Sequence, residues 1–478
     1  MIRFSELYVG GRWVAPATDA VLEVRSPHDG ALVGIAPHAA PADVDAAVVA
    51  ARAAFDEGPW PWLDPRERRA VLERFTRLYA AHAEELAALV TAENGTPSWF
   101  TRWTSATGVL AQTEAYLRAA AALDWEEQVA VSEGGRTLVR REPVGVVAAV
   151  IPWNAPQQSA LVKMVPALLV GCTVILKASP ETGLDALVLA RIFDEAGFPE
   201  GVISVLPAGR ETSEYLVAHS DVDKVAFTGS TAAGRRIAAI AGEQLKRVSL
   251  ELGGKSAAIV LGDADLPAVV AGLKGLSFGN NAENCVAHTR VLAPRSRYEE
   301  VVGALAHMVA GLRVGDPADP ETFIGPMVRA DQQRRVRSYI ELGIAEGARL
   351  VVGGPEVPAG LESGHYVRPT LFADVDSSMR IAREEIFGPV LVVIPFDDEE
   401  DAVRIANDSE YGLGGGVWTK DSEHGLALAR RIRAGWLSVN GATPTYDGAF
   451  GGFKNSGLGR EFGATGLAQY VEYKTIAV

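Results

Sequence analysis

The feature of the sequence that most restricts its fold is a regular alternation of short apolar segments with helical segments, which begins at Val144. Strands that alternate with helices form a parallel sheet whose two faces the helices cover. We therefore expect a parallel α/β domain in this part of the chain. The apolar segments are Val144–Ile151, Cys172–Leu176, Val202–Leu206, Val222–Phe227 and Val248–Glu251.

A second series of the same kind follows from Ala257 to about Val439. A chain of 478 residues is too long for a single hydrophobic core, so a second α/β domain is the simplest explanation. Before Val144, the patterns predict a β-hairpin over residues 6–14 and helices over residues 43–55, 65–93 and about 101–121.

Two strand-like regions lie outside these series. The segment from Trp125 to Pro143 predicts a hairpin that turns at Gly134-Gly135, and residues 468–473 near the C-terminus also have a strand-like alternation. This last segment can pair with the hairpin or with a neighbouring subunit. We expect the two regions to form a small β arm.

The charge of the chain excludes some classes of partner. Sixty acidic and 45 basic residues give a formal net charge of −15 at pH 7, which argues against nucleic acid and anionic membranes. A dinucleotide is still allowed, because N–H groups at a helix N-terminus bind its pyrophosphate locally. The first residues contain no apolar segment of signal-peptide length, and the most apolar stretch, Met164–Leu176, is too short to span a bilayer. We expect a cytoplasmic protein.

The chain has two cysteines, Cys172 and Cys285, which are too few for a disulfide framework and fit a reducing compartment. Neither has His or Cys partners at metal-ligand spacing, so we expect no metal site. Cys172 lies in an apolar run and is expected to pack in a core. Cys285 lies in a polar, turn-prone stretch, residues 280–290, where it is either a small buried residue or a nucleophile open to a cleft.

Three further segments carry polar residues at the end of an apolar strand. Glu251 lies shortly before two glycines and is either a general base, a cap of the next element or a partner of Lys255. Asn154 is either a helix N-cap or a donor to a developing oxyanion. The Gly229-Ser230 turn leads from a strand into a helix, and is either a pyrophosphate site or an ordinary connection.

Together these segments resemble the aldehyde dehydrogenase superfamily. The motifs extend from about Pro152 to Glu461, and compatible flanks extend the resemblance over essentially the whole chain. In the family's order, the motifs are Pro152-Trp153-Asn154, the Lys-x-Ser-x-x-Thr segment at Lys177 and Ser179, Phe227-Thr228-Gly229-Ser230, Glu251-Leu252-Gly253-Gly254-Lys255, Cys285 and Glu385-Ile386-Phe387-Gly388-Pro389.

The resemblance implies a fold of the α/β class with three parts. The first is a discontinuous, Rossmann-like NAD(P)-binding domain formed by residues 1–121 and 144–252. The second is an α/β catalytic domain, residues 253–447. Residues 122–143 and 460–478 then form a small β oligomerisation arm.

The resemblance also implies NAD(P)-dependent oxidation of an aldehyde to a carboxylic acid. Cys285 is then the nucleophile, Glu251 the general base, and Asn154 with the Cys285 backbone N–H the oxyanion hole. Thiolate addition gives a thiohemiacetal, loss of hydride gives a thioester, and Glu251 activates the water that hydrolyses it. One alternative is a CoA-acylating semialdehyde dehydrogenase, against which Glu251 argues. The other is a catalytically idle binding protein on the same scaffold.

The cofactor residues that the resemblance implies come from the same motifs. Trp153, Lys177 and Ser179 lie near the adenosine ribose, and Gly229 and Ser230 lie at the pyrophosphate. The remaining cofactor residues are Glu385 on the nicotinamide ribose, Phe387 against the nicotinamide ring, and Ile151 and Leu252.

One departure from the family pattern concerns the choice of cofactor. Many NAD-preferring members have a glutamate three positions after the lysine, where this chain has Pro180, followed by Glu181. A carboxylate near the 2′-hydroxyl repels a 2′-phosphate, whereas Arg210 could attract one. We expect NAD as the cofactor, with NADP possible.

A second departure lies beside the nucleophile. The family commonly has Gly-Gln-x-Cys, where this chain has Ala282-Glu283-Asn284-Cys285. Glu283 would oppose thiolate formation if it faced the sulfur, and would brace the loop if it faced a cationic partner. We expect the bracing role.

The substrate-facing segments of the family correspond to residues 157–162, the surroundings of the cysteine and the late loop 443–446. Apart from the adjacent Lys163, they contain no cluster of basic residues, which favours a neutral aliphatic or aromatic aldehyde over an acidic semialdehyde. Members of the superfamily form dimers or tetramers. We expect a homotetramer, with a homodimer as the alternative.

Overall fold

The structure is a computed structural model that describes residues 1–130, 135–443 and 445–478. Its strands are organised in two large sheets and three small ones. In chain order the strands are β1 Ile2–Arg3, β2 Leu7–Val9, β3 Arg12–Val14, β4 Val21–Arg25, β5 Leu32–Pro37, β6 Glu126–Val129, β7 Thr137–Pro143, β8 Val146–Val150, β9 Thr173–Ala178, β10 Ile203–Pro207, β11 Lys224–Thr228, β12 Arg247–Glu251, β13 Ser256–Val260, β14 His288–Pro294, β15 Arg349–Val352, β16 Thr370–Ala373, β17 Val390–Phe396, β18 Tyr411–Gly412, β19 Gly414–Trp418, β20 Trp436–Val439, β21 Phe453–Lys454, β22 Gly457–Leu458 and β23 Val471–Ala477.

Helix ends are set by local sequence signals. The long second helix begins after Asp64, whose carboxylate accepts the Arg66 N–H at 2.8 Å, and ends at Gly95, which has a left-handed φ of 79°. No helix in the described residues is long and apolar enough to cross a membrane. The helices are α1 Pro41–Asp56, α2 Pro65–Asn94, α3 Ser98–Arg102, α4 Gly108–Ala121, α5 Pro156–Val170, α6 Gly183–Ala196, α7 Arg210–Ala218, α8 Thr231–Glu243, α9 Leu266–Phe278, α10 Tyr298–Ala310, α11 Ala330–Ala345, α12 Arg380–Arg383, α13 Glu399–Asn407, α14 Ser422–Ala429 and α15 Gly463–Ala468.

The first large sheet has eight strands in the order β22-β12-β11-β8-β9-β10-β2-β3. Its five central strands, β12 to β10 in this order, are parallel, while β2 and β22 pair antiparallel with them. The predicted parallel α/β sheet is therefore confirmed. Because parallel strands end at the same edge, the residues that follow β8, β9, β11 and β12 meet there.

The second large sheet has seven strands in the order β15-β16-β17-β14-β13-β19-β20, of which only β15 is antiparallel to its neighbour. Alternate residues of β13 point to opposite faces. Ala258 and Val260 pack with α9 and α10, and Ala257 and Ile259 pack with α11 and α13. The second α/β series and the expected fold class are confirmed.

A three-stranded sheet, β23-β7-β6, joins the C-terminus to the hairpin. Its register pairs Val471 with Pro143 and Ala477 with Thr137. The predicted pairing of the tail with the hairpin is confirmed, but the strand begins later than expected because Ala468 is the last residue of α15. Gly134, in the predicted turn, lies outside the described residues.

The helix predicted over about residues 101–121 is interrupted. It starts earlier, as α3, and passes through a wide π-helical turn at Trp103–Thr107 before α4. Gly108 allows this turn to close, because a Cβ atom there would lie 2.7 Å from the Trp103 carbonyl oxygen and 2.9 Å from the Tyr446 hydroxyl. Turns of this kind often occur near functional sites.

Candidate active site

The predicted nucleophile, Cys285, is half-buried in a loop between a 3-10 turn at Gly279–Ala282 and strand β14. Three successive residues of the turn have positive φ angles, 56° at Asn280, 57° at Asn281 and 54° at Ala282. L-residues seldom adopt this region, so neighbouring groups must hold the loop in shape.

Asn281 ties the loop to two other segments. Its Nδ2 donates to the carbonyl oxygens of Gly95 at 3.1 Å and Pro326 at 3.0 Å, and its Oδ1 accepts the Gly325 N–H at 2.7 Å. The side chain is fully buried, so these bonds replace those that water would make. The end of α2 and the segment before α11 therefore both support the nucleophile loop.

Asn154 reaches this loop from the end of β8. Its Nδ2 donates to the carbonyl oxygen of Glu283 at 2.9 Å, two residues before Cys285. Ala155, rather than Asn154, occupies the N-cap position of α5, so the helix-cap interpretation of Asn154 is wrong. The predicted oxyanion donor and the predicted nucleophile are brought together.

Gly253 and Gly254 permit two close approaches at this point. A Cβ at Gly254 would lie 2.4 Å from the Cys285 carbonyl oxygen, and one at Gly253 would lie 2.4 Å from the Glu385 carboxylate. The Gly254 N–H also donates to Glu385 Oε1 at 3.0 Å. The segment after Glu251 therefore packs directly against both the nucleophile loop and Glu385.

The surroundings of Cys285 keep its thiol protonated. Burial, and after it the negative charges of Glu385 and Glu251, raise the pKa of the thiol to about 12. Of the three carboxylates that raise this pKa, the two with the larger effects, Glu385 and Glu251, are those predicted as cofactor residue and base, and the third is Glu461. Cys285 is therefore electrostatically linked to both predicted sites.

Glu251 is the last residue of β12, and its side chain is buried. Burial, and then the charge of Glu461, raise the pKa of its carboxyl group well above the ordinary value, whereas Lys163 and Arg460 act in the opposite direction. Within the described residues, neither Glu251 Oε2 nor Lys255 Nζ has a hydrogen-bond partner, so the alternative of a Glu251–Lys255 pair is not supported. A buried carboxyl group with a free oxygen suits a general base.

A buried ion pair lies behind Glu251. The Lys163 ammonium donates to Glu461 Oε1 at 2.5 Å and to the Thr228 hydroxyl at 2.6 Å, and its side chain has no solvent exposure. This pair is not predictable from the sequence, because its members are 298 residues apart. A lysine between Val162 and Met164 in an apolar helix was the available signal.

Glu283 braces the loop, as expected, but its partner differs from the prediction. Its buried carboxyl group accepts the Val328 N–H at 3.2 Å instead of meeting a cation directly. Burial raises the pKa of this group well above the ordinary value, although the Val328 hydrogen bond, and after it the charge of Arg329, act in the opposite direction. A glutamate side chain has nearly the shape of the family's glutamine, which is consistent with its place in this loop.

The predicted pyrophosphate turn lies at the carboxyl end of β11. Ser230 is the N-cap of α8, and its hydroxyl accepts the Ala233 N–H at 3.3 Å. A Cβ at Gly229 would lie 2.5 Å from the Phe227 ring, so the turn is too tight for a side chain at that position. The exposed first turn of a thirteen-residue helix offers N–H groups to an anion, and these residues fit a dinucleotide.

Lys177 and Ser179, predicted near the adenosine ribose, lie beside the carboxylate of Glu181, which follows Pro180. The Ser179 hydroxyl donates to Glu181, which also forms an ion pair with Arg329. Burial lowers the pKa of Lys177 to about 8, and the charge of Glu181 partly opposes that shift. Glu181 therefore supplies a negative charge at this site from one position further along the chain.

The other predicted cofactor residues line the same edge of the sheet. The rings of Trp153 and Phe387 meet edge to face, with centroids 5.7 Å apart. Ile151 is buried directly after β8. Leu252 is buried after β12 and packs against Gly234 of α8, where an added Cβ would lie 2.5 Å from its side chain.

Two other potentially reactive residues, Cys172 and His288, do not form a second site within the described residues. Cys172 is fully buried, as expected, and burial raises the pKa of its thiol to about 11. His288 is also buried, and burial lowers its pKa to about 4, which does not suit a base for Cys285. The described parts of the chain contain no group of three or more His, Cys, Asp or Glu residues placed to hold a metal ion.

Comparison with known proteins independently indicates the family to which the chain belongs. Residues 13–476 match the model of the aldehyde dehydrogenase family. The chain is 46% identical to a geranial dehydrogenase of Castellaniella defragrans, with 99% of each chain covered. It resembles the crystal structure of a Mycobacterium tuberculosis aldehyde dehydrogenase in complex with NAD⁺, at 47% identity and a TM-score of 0.97, covering 100% of this chain and 98% of that one.

A further solved relative is an aldehyde dehydrogenase C mutant of Pseudomonas syringae in complex with NAD⁺ and octanal. It is 39% identical, with a TM-score of 0.95, and the match covers 99% of this chain and 96% of that one. The family model and these two structures match this chain over nearly its whole length. The chain belongs to the aldehyde dehydrogenase family.

Proposed function

We propose that this protein oxidises an aldehyde to a carboxylic acid with NAD, through a thioester on Cys285. The observation that carries the proposal is that Asn154 and Glu251 both act on the loop that contains Cys285. Asn154 donates to the carbonyl two residues before Cys285, and the charge of Glu251 acts on the Cys285 thiol. Nucleophile, oxyanion donor and base are thus assembled at the edge of the sheet where the cofactor turn lies.

In the first half-reaction the thiol loses its proton to solvent, and the sulfur adds to the aldehyde carbon. The new oxyanion is held by the Asn154 amide and the Cys285 backbone N–H. Bound NAD supplies the acceptor for the hydride that leaves the thiohemiacetal carbon. Loss of this hydride restores the carbonyl group and leaves an acyl thioester on Cys285.

In the second half-reaction Glu251 accepts a proton from water, and the resulting hydroxide attacks the thioester carbon. The same two donors hold the second oxyanion. When the C–S bond breaks, the carboxylic acid leaves, and the proton held by Glu251 passes to the sulfur, which restores both the thiol and the ionised carboxylate. The buried Lys163 ammonium favours the ionised form of Glu251, which is the form that can accept the proton.

The cofactor roles are assigned by the same proposal. Gly229 and Ser230 bind the pyrophosphate, while Lys177, Ser179 and Trp153 border the adenosine ribose. Glu385 binds the nicotinamide ribose, and Phe387 packs against the ring. Ile151 and Leu252 are the buried apolar residues of the site, after β8 and β12. The first large sheet, apart from β22, then belongs to a discontinuous NAD-binding domain, residues 1–121 and 144–252, and the second large sheet belongs to a catalytic domain, residues 253–447.

Glu181 provides a test of cofactor selectivity. Its carboxylate contacts Ser179 and should repel a 2′-phosphate, so Glu181→Gln is expected to raise the kcat/KM ratio of NADP to NAD by about tenfold. Steady-state rates with both cofactors measure this ratio. Glu211→Gln, which removes an exposed charge on α7, is the matched control and should leave the ratio unchanged. An unchanged ratio in Glu181→Gln would show that the selectivity lies elsewhere, for example at Arg210.

For the substrate we propose a neutral aliphatic or aromatic aldehyde. Supporting this are the few basic residues in the expected substrate segments and two relatives, one named for geranial and one solved with octanal. Absorbance at 340 nm with a panel of aldehydes and both cofactors tests the activity. We expect a higher kcat/KM for hexanal or benzaldehyde than for succinic semialdehyde, and the reverse order would refute this substrate class.

The same panel separates the two alternatives. A CoA-acylating enzyme would release an acyl-CoA when CoA is added, whereas a hydrolytic enzyme releases the free acid without it. A catalytically idle protein would reduce neither cofactor with any aldehyde. The buried Glu251 carboxyl group supports hydrolysis, because its free oxygen can bind the attacking water.

We further infer that the β23-β7-β6 sheet is an oligomerisation arm. Its outer surface exposes Val129, Tyr473 and Ile476, which a partner subunit would cover. A homotetramer, or a homodimer, in the cytoplasm is our proposal. Sedimentation of a stable monomer at micromolar concentration would contradict it.

A further inference from the structure

Asn280 lies where three separate segments of the chain meet. Its Oδ1 accepts the Thr96 hydroxyl at 2.7 Å, and its Nδ2 donates to the carbonyl oxygens of Asn154 at 2.8 Å and Glu283 at 3.1 Å. The residue is 1% exposed, so water does not compete for these bonds. One side chain thus joins the end of α2, the segment after β8 and the nucleophile loop.

The Glu283 carbonyl is the point where these bonds converge. It accepts Nδ2 of Asn280 at 3.1 Å and Nδ2 of Asn154 at 2.9 Å, which uses both of its lone pairs. One N–H of the Asn154 amide is therefore fixed to the loop. The other N–H is free to point at the oxygen of an aldehyde bound to Cys285.

Asn280 is itself held from behind by the turn that ends α2. Thr96 follows the left-handed Gly95, and its own N–H donates to Asn94 Oδ1 at 2.9 Å. Asn94 Nδ2 donates to the Trp153 carbonyl oxygen at 2.9 Å. This turn therefore holds the Trp153 carbonyl directly, through Asn94. It holds the Asn154 carbonyl indirectly, because Thr96 binds Asn280 and Asn280 binds that carbonyl.

The backbone of Asn280 is strained in a way that its side chain offsets. Its φ of 56° lies in the left-handed region, which asparagine tolerates better than most residues but which still raises its energy. Three side-chain hydrogen bonds hold it there. Local strain maintained by surrounding bonds is typical of preorganised sites.

We propose that Asn280 is a positioning residue for oxyanion stabilisation: through the Glu283 carbonyl that both side chains contact, it holds the Asn154 amide in its reactive geometry before the aldehyde binds. Donors fixed in advance need no reorganisation when charge develops, which makes them effective. This inference rests on the proposed roles of Asn154 and Cys285. It adds a residue that does not touch the substrate and acts through Asn154.

The test is a double-mutant cycle. Asn280→Gly removes the side chain yet tolerates the left-handed backbone, and it should lower kcat by about 10- to 100-fold. Asn154→Ala should lower kcat by about 100- to 1000-fold. In the double variant we expect kcat within about threefold of Asn154→Ala alone, because Asn280 acts through that amide. Losses that simply multiply would overturn the proposal.

A second readout separates positioning from general damage to the fold. Alkylation of Cys285 by iodoacetamide forms no oxyanion, so its rate should change by less than about threefold in Asn280→Gly, and a large loss of alkylation would contradict the proposal. Thr96→Val removes only the bond to Asn280 Oδ1 with little change of shape, and it should lower kcat in the same direction by a smaller factor. If Asn280→Gly does not fold, the cycle of Thr96→Val with Asn154→Ala decides the question in the same way.

The outcomes also distinguish this inference from the proposed function. If Asn154→Ala keeps the parental kcat, the oxyanion role fails, and the positioning role fails with it. If Asn154→Ala is impaired while Asn280→Gly and Thr96→Val are not, only the positioning role is wrong. If the proposal is right, Asn154→Ala and Asn280→Gly each lower kcat, and the double variant loses less than the product of the two separate losses.

Discussion

Replacement of Cys285 by serine is expected to reduce aldehyde-dependent formation of NADH by at least about 1000-fold. A hydroxyl group is far less acidic than a thiol, so serine provides almost no anionic nucleophile under the same conditions. The substitution changes the side-chain volume little, and the loop is held by Asn280 and Asn281 instead of by the sulfur. Absorbance at 340 nm measures the loss, and binding of NAD should be preserved.

Cys172→Ala is the matched control for this experiment. Cys172 is fully buried in the core around α5 and β9, so its removal should affect stability and leave kcat close to the parental value. A Cys285→Ser enzyme with more than a few per cent of parental activity would exclude Cys285 as the nucleophile. A selective loss in Cys172→Ala would point to the other thiol.

Glu251→Gln is expected to lower kcat by about 100- to 10,000-fold and to trap the acyl-enzyme. The amide cannot accept a proton from water, so the thioester should accumulate. Acylation itself should continue, because removing the Glu251 charge lowers the pKa of the Cys285 thiol. Intact-protein mass measurement after mixing with aldehyde and NAD should show the added acyl group. Slow turnover with no acyl-enzyme would contradict a role in hydrolysis.

The pH dependence of hydrolysis provides a second check on Glu251. Its pKa is raised, and only the ionised carboxylate can act as a base, so kcat should rise as the pH passes upward through this pKa whenever hydrolysis limits turnover. Glu251→Gln should abolish that dependence. Glu461→Gln removes a charge that raises the Glu251 pKa, and should therefore shift the rising limb to lower pH. A shift to higher pH would be incompatible with this arrangement.

Much of the fold follows from patterns that are local in the sequence. Strands β8, β9 and β11 each contain an apolar run and are almost entirely buried, which is typical of strands covered on both faces. The C-terminal strand was predicted too early, because Ala468 still belongs to α15 and residues 469–470 form the turn that follows it. The π-helical turn at Trp103–Thr107 leaves no clear pattern in the sequence, since it is only five residues long.

From the sequence, residues could be proposed for the candidate site where one motif suggests one role, as at Asn154, Glu251 and Cys285. Interactions that depend on distant partners could not be predicted in this way. The link between Asn280 and Thr96 spans 184 positions, and neither residue carries a charge or reactive group that would identify it. Glu283 shows the same limit, because its partner is a backbone N–H that no side-chain pattern reveals.

The final stretch of the chain has a consequence for how the protein is made. Strand β22 covers the open edge of β12 beside Glu251, Glu461 pairs with Lys163, and β23 completes the arm. All three follow both Glu251 and Cys285 in the sequence. On the ribosome, a nascent chain that already contains its cysteine and its proposed base therefore still lacks Glu461, and the edge of β12 stays unpaired until β22 is made. Assembly of the candidate site thus waits for a segment that is synthesised well after the two residues it supports.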